Sequence, residues 1–474
     1  MSGRKRDDFS VDMTTGRILP GLLAMAIPLA ATSLLQMLFT SADLVVIGNF
    51  ASEHSLAAVG STNVLINFSI TFFVGLSIGS NVLVSRLLGA GDSERARKAI
   101  HTSIGLSVLC GALLTVVGFL MARQALVWMQ SPPETLELAT LYVQIYCLGM
   151  IPSLVCNFGA SVLRSKGDTR RPMFYLSFAA MINFLLNLVF VNVFKMDVDG
   201  VALATAISQY VGAFLILKRL MNEPGVFRLN LREIWPDFRE SLTILRIGVP
   251  AGFQGIVFSL SNLVIQSSIN GFGPIMMAGS AAAQNLEGFV WLTMNAFTQC
   301  SLTYMSQNLG AKKYSRLNKV AFISCACSGL SGFVLGGAMY RWGPFLLGIF
   351  DQRPEVIEAG MIRVSYVCGI YWICGLMDCL CGTIRGLGHN VTPTVVSLLG
   401  ACGTRILWIS TIFQIPRFHT EDVLFWSYPG SWTITLVAHF CCYVWMRRAY
   451  PRADAPLVER DRVAPKFAFS HESN

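Results

Sequence analysis

The sequence predicts an all-α integral membrane protein with twelve transmembrane helices in two parallel six-helix repeats. Three observations lead there. Of the 474 residues, 53% are hydrophobic and only 13% charged, with a mean hydropathy of +0.56, whereas soluble globular chains carry about twice that charge fraction. Apolar runs of twenty or more residues recur along the chain, the length a helix needs to cross a bilayer. A β-barrel would instead show alternation. The third observation is that the second half repeats motifs of the first at one near-constant offset.

The amino-terminal stretch MSGRKRDDFSVDMTTGR (residues 1–17) is charged throughout and has no small-residue cleavage site, so the expectation is a retained cytoplasmic segment and no removable signal peptide. The apolar runs then lie near 18–48, 56–86, 99–121, 136–163, 173–194 and 200–220. After a linker at 221–241 that contains NEPGVFRLNLREIWPDF, they resume near 242–270, 276–309, 319–340, 356–384, 394–415 and 423–446. The expected units are therefore lobes at 18–220 and 242–447, with a cytoplasmic tail at 448–474. One set of alternate loops and termini holds 28 Lys and Arg, and the other set holds 5. That asymmetry places both termini in the cytoplasm of a multi-pass plasma-membrane protein. The net charge of +9 is accounted for by these short basic loops and implies no nucleic-acid partner. Thirteen cysteines form no CxxC pair and no metal-spaced set, and they read as small buried hydrophobes.

The repeat rests on four anchors. SRLLGAGDSERARK from Ser85 matches SQNLGAKKYSRLNK from Ser306, and PPE at 132–134 matches RPE at 353–355. LRSKGDTRRP at 163–172 matches IRGLGHNVTP at 384–393, and Pro28 matches Pro250. Six spans per half preserve orientation, so the halves are parallel repeats that enclose a site near the midplane.

Departures from the symmetry point to chemistry. In the first span Asp43 is the only ionisable side chain, at an insertion cost of roughly 2.5–3.5 kcal/mol. Gln36 and Thr40 share its helical face. The second half puts Ile265 or Gln266 where the first has Asp43. Asn183 and Asn187 lie one turn apart in span five, and Asn157 and Thr205 from spans four and six are placed to join them in an oxygen-rich pocket with Asp43. Hydrogen bonding between neighbouring helices is the competing role for each amide, and a hydrogen-bonded structural acid is the competing role for Asp43. In the second half, Gln284, Glu287, Trp291 and Asn295 follow helical spacing, and Asp378 lies two turns after Tyr371. A carboxylate beside an aromatic face suits an organic cation. Glu287 and Asp378 are alternatively structural partners of Arg363 or Arg405, which also fall within spans. Neither a GxxxxGK[ST] loop, an HExxH helix nor a GxSxG turn is present, so no enzyme and no cofactor is expected. An ion gradient remains as the energy source.

These residues also carry a family resemblance. TSADLVVIG, LVSRLLGAGD, RSKGDTRRP, INFLLNLVFV, GVALATAIS, SQNLGAKKYSR and IRGLGHNVTP, in this order, resemble the multidrug and toxic compound extrusion family over all twelve expected spans. The resemblance implies a secondary antiporter that exports organic, often cationic or amphipathic, compounds in exchange for protons or sodium. It implies that Asp43 matches the family's coupling acid, that Asn183 matches an asparagine near it, and that Asn187 stands where relatives carry a second acid. With one ionisable group in that pocket, the expectation is one coupling ion per cycle, a proton, with sodium as the alternative. The partners expected are small organic substrates and the bilayer, and the expected state is a monomer. A lipid-linked oligosaccharide flippase of the same superfamily is the competing reading. It would call for a more strongly cationic cavity and more spans.

Overall fold

The computed structural model describes residues 10–50, 53–129 and 132–454, with side chains excepted at 42–50, 53–61, 63 and 64. The described residues are all helical or connecting. In the first half they form α1 (Ile18–Phe50), α2 (Glu53–Ala90), α3 (Ser93–Trp128), α4 (Pro133–Leu148), α5 (Met150–Ser165), α6 (Arg170–Leu188) and α7 (Val198–Met221). The second half holds α8 (Phe238–Asn270), α9 (Pro274–Gly310), α10 (Tyr314–Arg341), the short α11 (Gly343–Gly348), α12 (Pro354–Val367), α13 (Tyr371–Gly386), α14 (Val391–Ser397), α15 (Thr404–Ser410) and α16 (Glu421–Arg447). A π-helical turn at Val189–Val193 extends α6, and another at Leu398–Gly403 joins α14 to α15. A 3₁₀ turn at Cys368–Ile370 joins α12 to α13.

Among the described residues, nine helical stretches are long and apolar enough to cross a membrane. The α4–α5 pair makes a tenth, bent by 46° where Gly149 breaks it. The protein is thus an all-α, multi-pass membrane protein. Helices α9 and α16 fall outside that set although they run for 37 and 27 residues. In α9 the reason is polar side chains spread along its length, from Gln284 and Asn285 to Gln307 and Asn308.

Helix ends follow their sequence. Asp92 caps α3 by accepting from the Arg95 amide at 3.0 Å, and Asp237 caps α8 through the Glu240 amide at 3.1 Å. The turn between α5 and α6 is tied to the end of α7 by Glu223, which is buried and bound by Lys166 (3.2 Å), Arg171 (3.0 Å) and Arg219. Burial pushes the Asp168 carboxyl in this turn up, against the pull of Arg171 at 3.0 Å.

Two facing pairs of glycines bring the halves together. Gly75 and Gly79 on α2 meet Gly248 and Gly252 on α8, and a Cβ at Gly75 would lie 2.4 Å from the Gly252 Cα. This is the small-xxx-small contact by which helices in lipid approach backbone to backbone. Farther along, α2 crosses α9 in a reciprocal contact. A Cβ at Gly89 would lie 2.1 Å from the Gln307 carbonyl oxygen, and one at Gly310 would lie 2.0 Å from that of Arg86. Arg86 donates to the Gly386 carbonyl at 3.3 Å, and Gln307 donates to the Ser165 carbonyl at 2.6 Å. Each contact maps onto its mate by a shift of 221 residues. Thr303 adds a bond across the same seam to Asn81 at 3.1 Å.

Candidate functional site

In the first half the structure brings together part of the expected pocket. Asn183 on α6 donates through Nδ2 to the Thr205 hydroxyl on α7 at 3.2 Å, and Thr205 donates to the Val201 carbonyl at 3.0 Å. Asn187, one turn farther along the same face of α6, is fully buried. Helix α1 runs beside this layer, because the Phe39 and Phe184 rings lie 6.2 Å apart. Asp43 is one turn beyond Phe39 on α1, and its side chain lies outside the described residues. Gln36 is exposed, and its carbonyl accepts from Thr40 at 2.9 Å. Asn157 is half-buried and donates within its own helix to the Ser153 carbonyl at 2.9 Å.

In the second half the stripe on α9 divides. Glu287 turns inward to Arg363 on α12 in a two-pronged pair, Nε to Oε1 at 2.6 Å and Nη2 to Oε2 at 2.8 Å. Arg363 also donates to the Ser280 hydroxyl at 2.8 Å, and both charged residues are buried. Gln284 and Trp291 are exposed and Asn295 is half-buried, so these three keep a face open while Glu287 does not. Asp378 on α13 is half-buried beside the Trp291 indole and forms no ion pair among the described residues.

An aromatic and guanidinium stack behind this face escaped the sequence reading. Arg405 lies 4.3 Å from the Tyr428 ring and 5.6 Å from the Trp432 ring, while Arg363 approaches Tyr428 at 5.7 Å and Phe425 at 5.8 Å. Tyr371 stacks on Trp432 at 5.3 Å. Arg405 donates from Nε to the Ser431 hydroxyl at 2.9 Å. Cation–π contact and a hydroxyl thus take the place of a carboxylate. The available signal was the spacing of Phe425, Tyr428 and Trp432, which falls on one face of a helix. Arg385 donates to the Gln254 side chain at 2.5 Å and to Thr394 at 3.3 Å. No group of three His, Cys, Asp or Glu side chains able to hold a metal occurs among the described residues.

The model of the MatE family matches this chain twice, over residues 28–189 and again over 250–409, together more than half its length. The chain belongs to the MatE family. The second matched stretch begins 222 residues after the first. Two Bacillus subtilis proteins described as probable multidrug resistance proteins are similar to it. YpnP is 26% identical over 82% of this chain and 87% of its own, and YoeA is 25% identical over 90% and 94%. The fold is also that of a solved outward-facing multidrug resistance MATE family transporter of the MOP superfamily, with a TM-score of 0.84 at 18% identity over 94% of this chain and 98% of that one. Membership in the MatE family makes the chain a membrane transporter and not an enzyme.

Proposed function

We propose that this MatE family member is a secondary active antiporter of the plasma membrane that exports organic compounds by alternating access, in exchange for protons. The observation that carries the reading is the double match of the family model, once in each half. The relatives described as multidrug resistance proteins support it. In this reading α9 and α16 are spans as well. The membrane domain is then twelve helices in two parallel six-helix lobes, 18–220 and 242–447, joined by the linker at 221–241. Both termini are cytoplasmic, and the working unit is a monomer.

Asp43 is the coupling group of the first lobe, supported by Asn183, Asn187 and Thr205. Protonation or one sodium ion neutralises it, and a proton needs no shell of oxygen ligands. A bound ion removes the charge that attracts a cationic substrate, so the two exclude one another. Gln36, Asn157, Gln284, Trp291, Asn295 and Asp378 contribute the substrate-facing surface. Glu287 is assigned to holding Arg363, because a buried two-pronged pair leaves neither charge free for a ligand. The same pair argues against an oligosaccharide flippase, since Arg363 is already neutralised. The test is transport by purified protein in proteoliposomes with a proton or a sodium gradient imposed singly. Organic-cation movement that follows neither gradient would overturn the reading.

A further inference from the structure

Each half is preceded by a lead segment that docks on the other half. Ahead of α1, Asp12 folds residues 12–15 into a tight turn by accepting from the amides of Thr14 (3.0 Å) and Thr15 (3.1 Å). The carbonyls of this turn are gripped from the second half. Asn308 donates to Met13 at 3.0 Å and Lys313 to Thr14 at 2.6 Å. Arg316 donates to Gly16 at 3.1 Å, Thr15 at 3.4 Å and Met13 at 3.5 Å. Met13 is wholly buried in a cluster that joins Tyr304, Met305 and Leu317 of the second half to Leu22 and Met25 of α1. Val11 rests on Gly167 of the first half, where a Cβ would lie 2.6 Å from the Val11 carbonyl oxygen. The segment therefore bridges the α5–α6 turn and the α9–α10 turn.

Ahead of α8, the linker docks on α3 of the first half. Arg97 pairs with Glu233 at 2.8 Å, the Asn230 amide donates to His101 Nε2 at 3.0 Å, and where the linker runs into α8 Arg95 donates from Nε to Glu240 of its first turn at 3.0 Å. The Asp237 amide donates to the Thr102 hydroxyl at 3.2 Å. Arg95 and Arg316 are 221 residues apart, which makes them corresponding residues of the two repeats. Each stands in the first turn of its helix, α3 or α10, just past the short connection from the helix end that carries Gly89 or Gly310 of the reciprocal seam.

We propose that the two lead segments are crossed straps that hold this end of the molecule closed, released when α2 and α9 separate. The proposal rests on the alternating-access reading, in which this basic end faces the cytoplasm. Each strap is continuous with the first helix of one half and anchored on the other, so separating the halves strains both together. Their chemistry differs. The first strap is held through main-chain carbonyls around a buried Met, whereas the second is held partly by Arg97–Glu233, in which both side chains are about half exposed. Salt screens exposed ion pairs and leaves buried hydrogen bonds largely untouched.

The test uses full-length protein with its native cysteines replaced and Ser85→Cys as reporter. Ser85 is wholly buried in the seam, donating to the Asn81 side chain that also accepts from Thr303. Arg316→Ala and Arg95→Ala, each removing hydrogen bonds from a charged donor, should each raise maleimide labelling from the cytoplasmic side at least tenfold. The double variant should exceed either. In a second arm, Thr14→Cys and Lys313→Cys joined by a reducible bis-methanethiosulfonate linker, which spans the reach of the Lys313 side chain, should stop export, and reductant should restore it. Folded double variant that labels no faster than the parent, or cross-linked protein that exports at the uncross-linked rate, overturns the straps. Faster labelling in a protein that exports nothing supports the straps and counts against the exporter reading.

Discussion

Removing one partner of Glu287–Arg363 is expected to destabilise the protein by about 3–5 kcal/mol, and removing both is expected to restore most of the loss. The pair is closed on both prongs, at 2.6 and 2.8 Å, with the two residues 6% and 3% exposed. Unit charges about 4 Å apart interact by about 4 kcal/mol at an effective dielectric near 20. Arg363→Met abandons Glu287 without a counter-charge, and Glu287→Gln leaves Arg363 with Ser280 and two ring faces as its remaining partners. Glu287→Gln with Arg363→Met leaves neither charge buried. Reversible denaturant unfolding in mixed micelles measures all four proteins, and the coupling term of the double-mutant cycle should be about 3 kcal/mol or more. Export by the double variant should stay within a few-fold of the parent. The assignment of Glu287 to Arg363 fails if the single variants are as stable as the parent, or if the double variant folds normally yet exports nothing.

Asp43→Asn should leave the protein inserted and monodisperse while abolishing gradient-driven export, and Asn187→Asp should alter ion dependence, both read in proteoliposomes. Persistent gradient coupling in Asp43→Asn would move the coupling site to Asp378. Cysteine placed at position 54 should react with an impermeant maleimide from outside intact cells, and reaction only after permeabilisation would reverse the topology. Gly89→Ala and Gly310→Ala should each open the seam, because either methyl would meet a carbonyl oxygen near 2 Å. The check is faster labelling of Ser85→Cys, and unchanged labelling refutes it. Burial pushes the Asp12 carboxyl up, but its hydrogen bonds from Thr15 and Thr14 outweigh that and hold it below the usual carboxylate range. A lowered folded value stabilises above the ordinary pKa and is lost only as pH falls through the folded one. With His101 of the second strap replaced by Gln, docking of the amino-terminal strap should therefore be flat from about pH 5 to 8, and a steep change there in Ser85→Cys labelling, corrected for thiol ionisation, would refute that role for Asp12.

Apolar run length was enough to read an all-α multi-pass membrane protein, since chain crossing a bilayer must satisfy its own backbone hydrogen bonds, but α9 and α16 are not apolar enough to stand out by that measure. Offset motifs were equally legible, and the SRLLGAGDSERARK and SQNLGAKKYSRLNK pair proves to hold Gly89, Arg95, Gly310 and Arg316 at once. What that alignment hid was direction. Nothing in a one-dimensional match says that Arg316 reaches back to residues 13–16, because a main-chain carbonyl acceptor carries no side-chain signature. The facing GLSIG and GVPAG pairs of α2 and α8 were readable as GxxxG and were missed. On α9 the helical spacing of Gln284, Glu287, Trp291 and Asn295 suggested one polar face, yet Glu287 sits far enough round the helix to meet Arg363. Spacing alone does not decide which neighbour a long carboxylate reaches.

The grip of Arg316 on Met13 joins residues 303 positions apart. At roughly 5–20 residues per second, synthesis leaves the amino-terminal segment waiting about 15 to 60 seconds for its anchor. Until then Met13 has none of the second-half side chains that bury it, and a chain halted ahead of residue 316 would carry a first half whose leading segment has no dock. Biogenesis is therefore ordered. The linker meets α3 as soon as it emerges, the amino-terminal segment is seated only after α10 has begun, and one face of the protein is sealed in two instalments set by the order of translation.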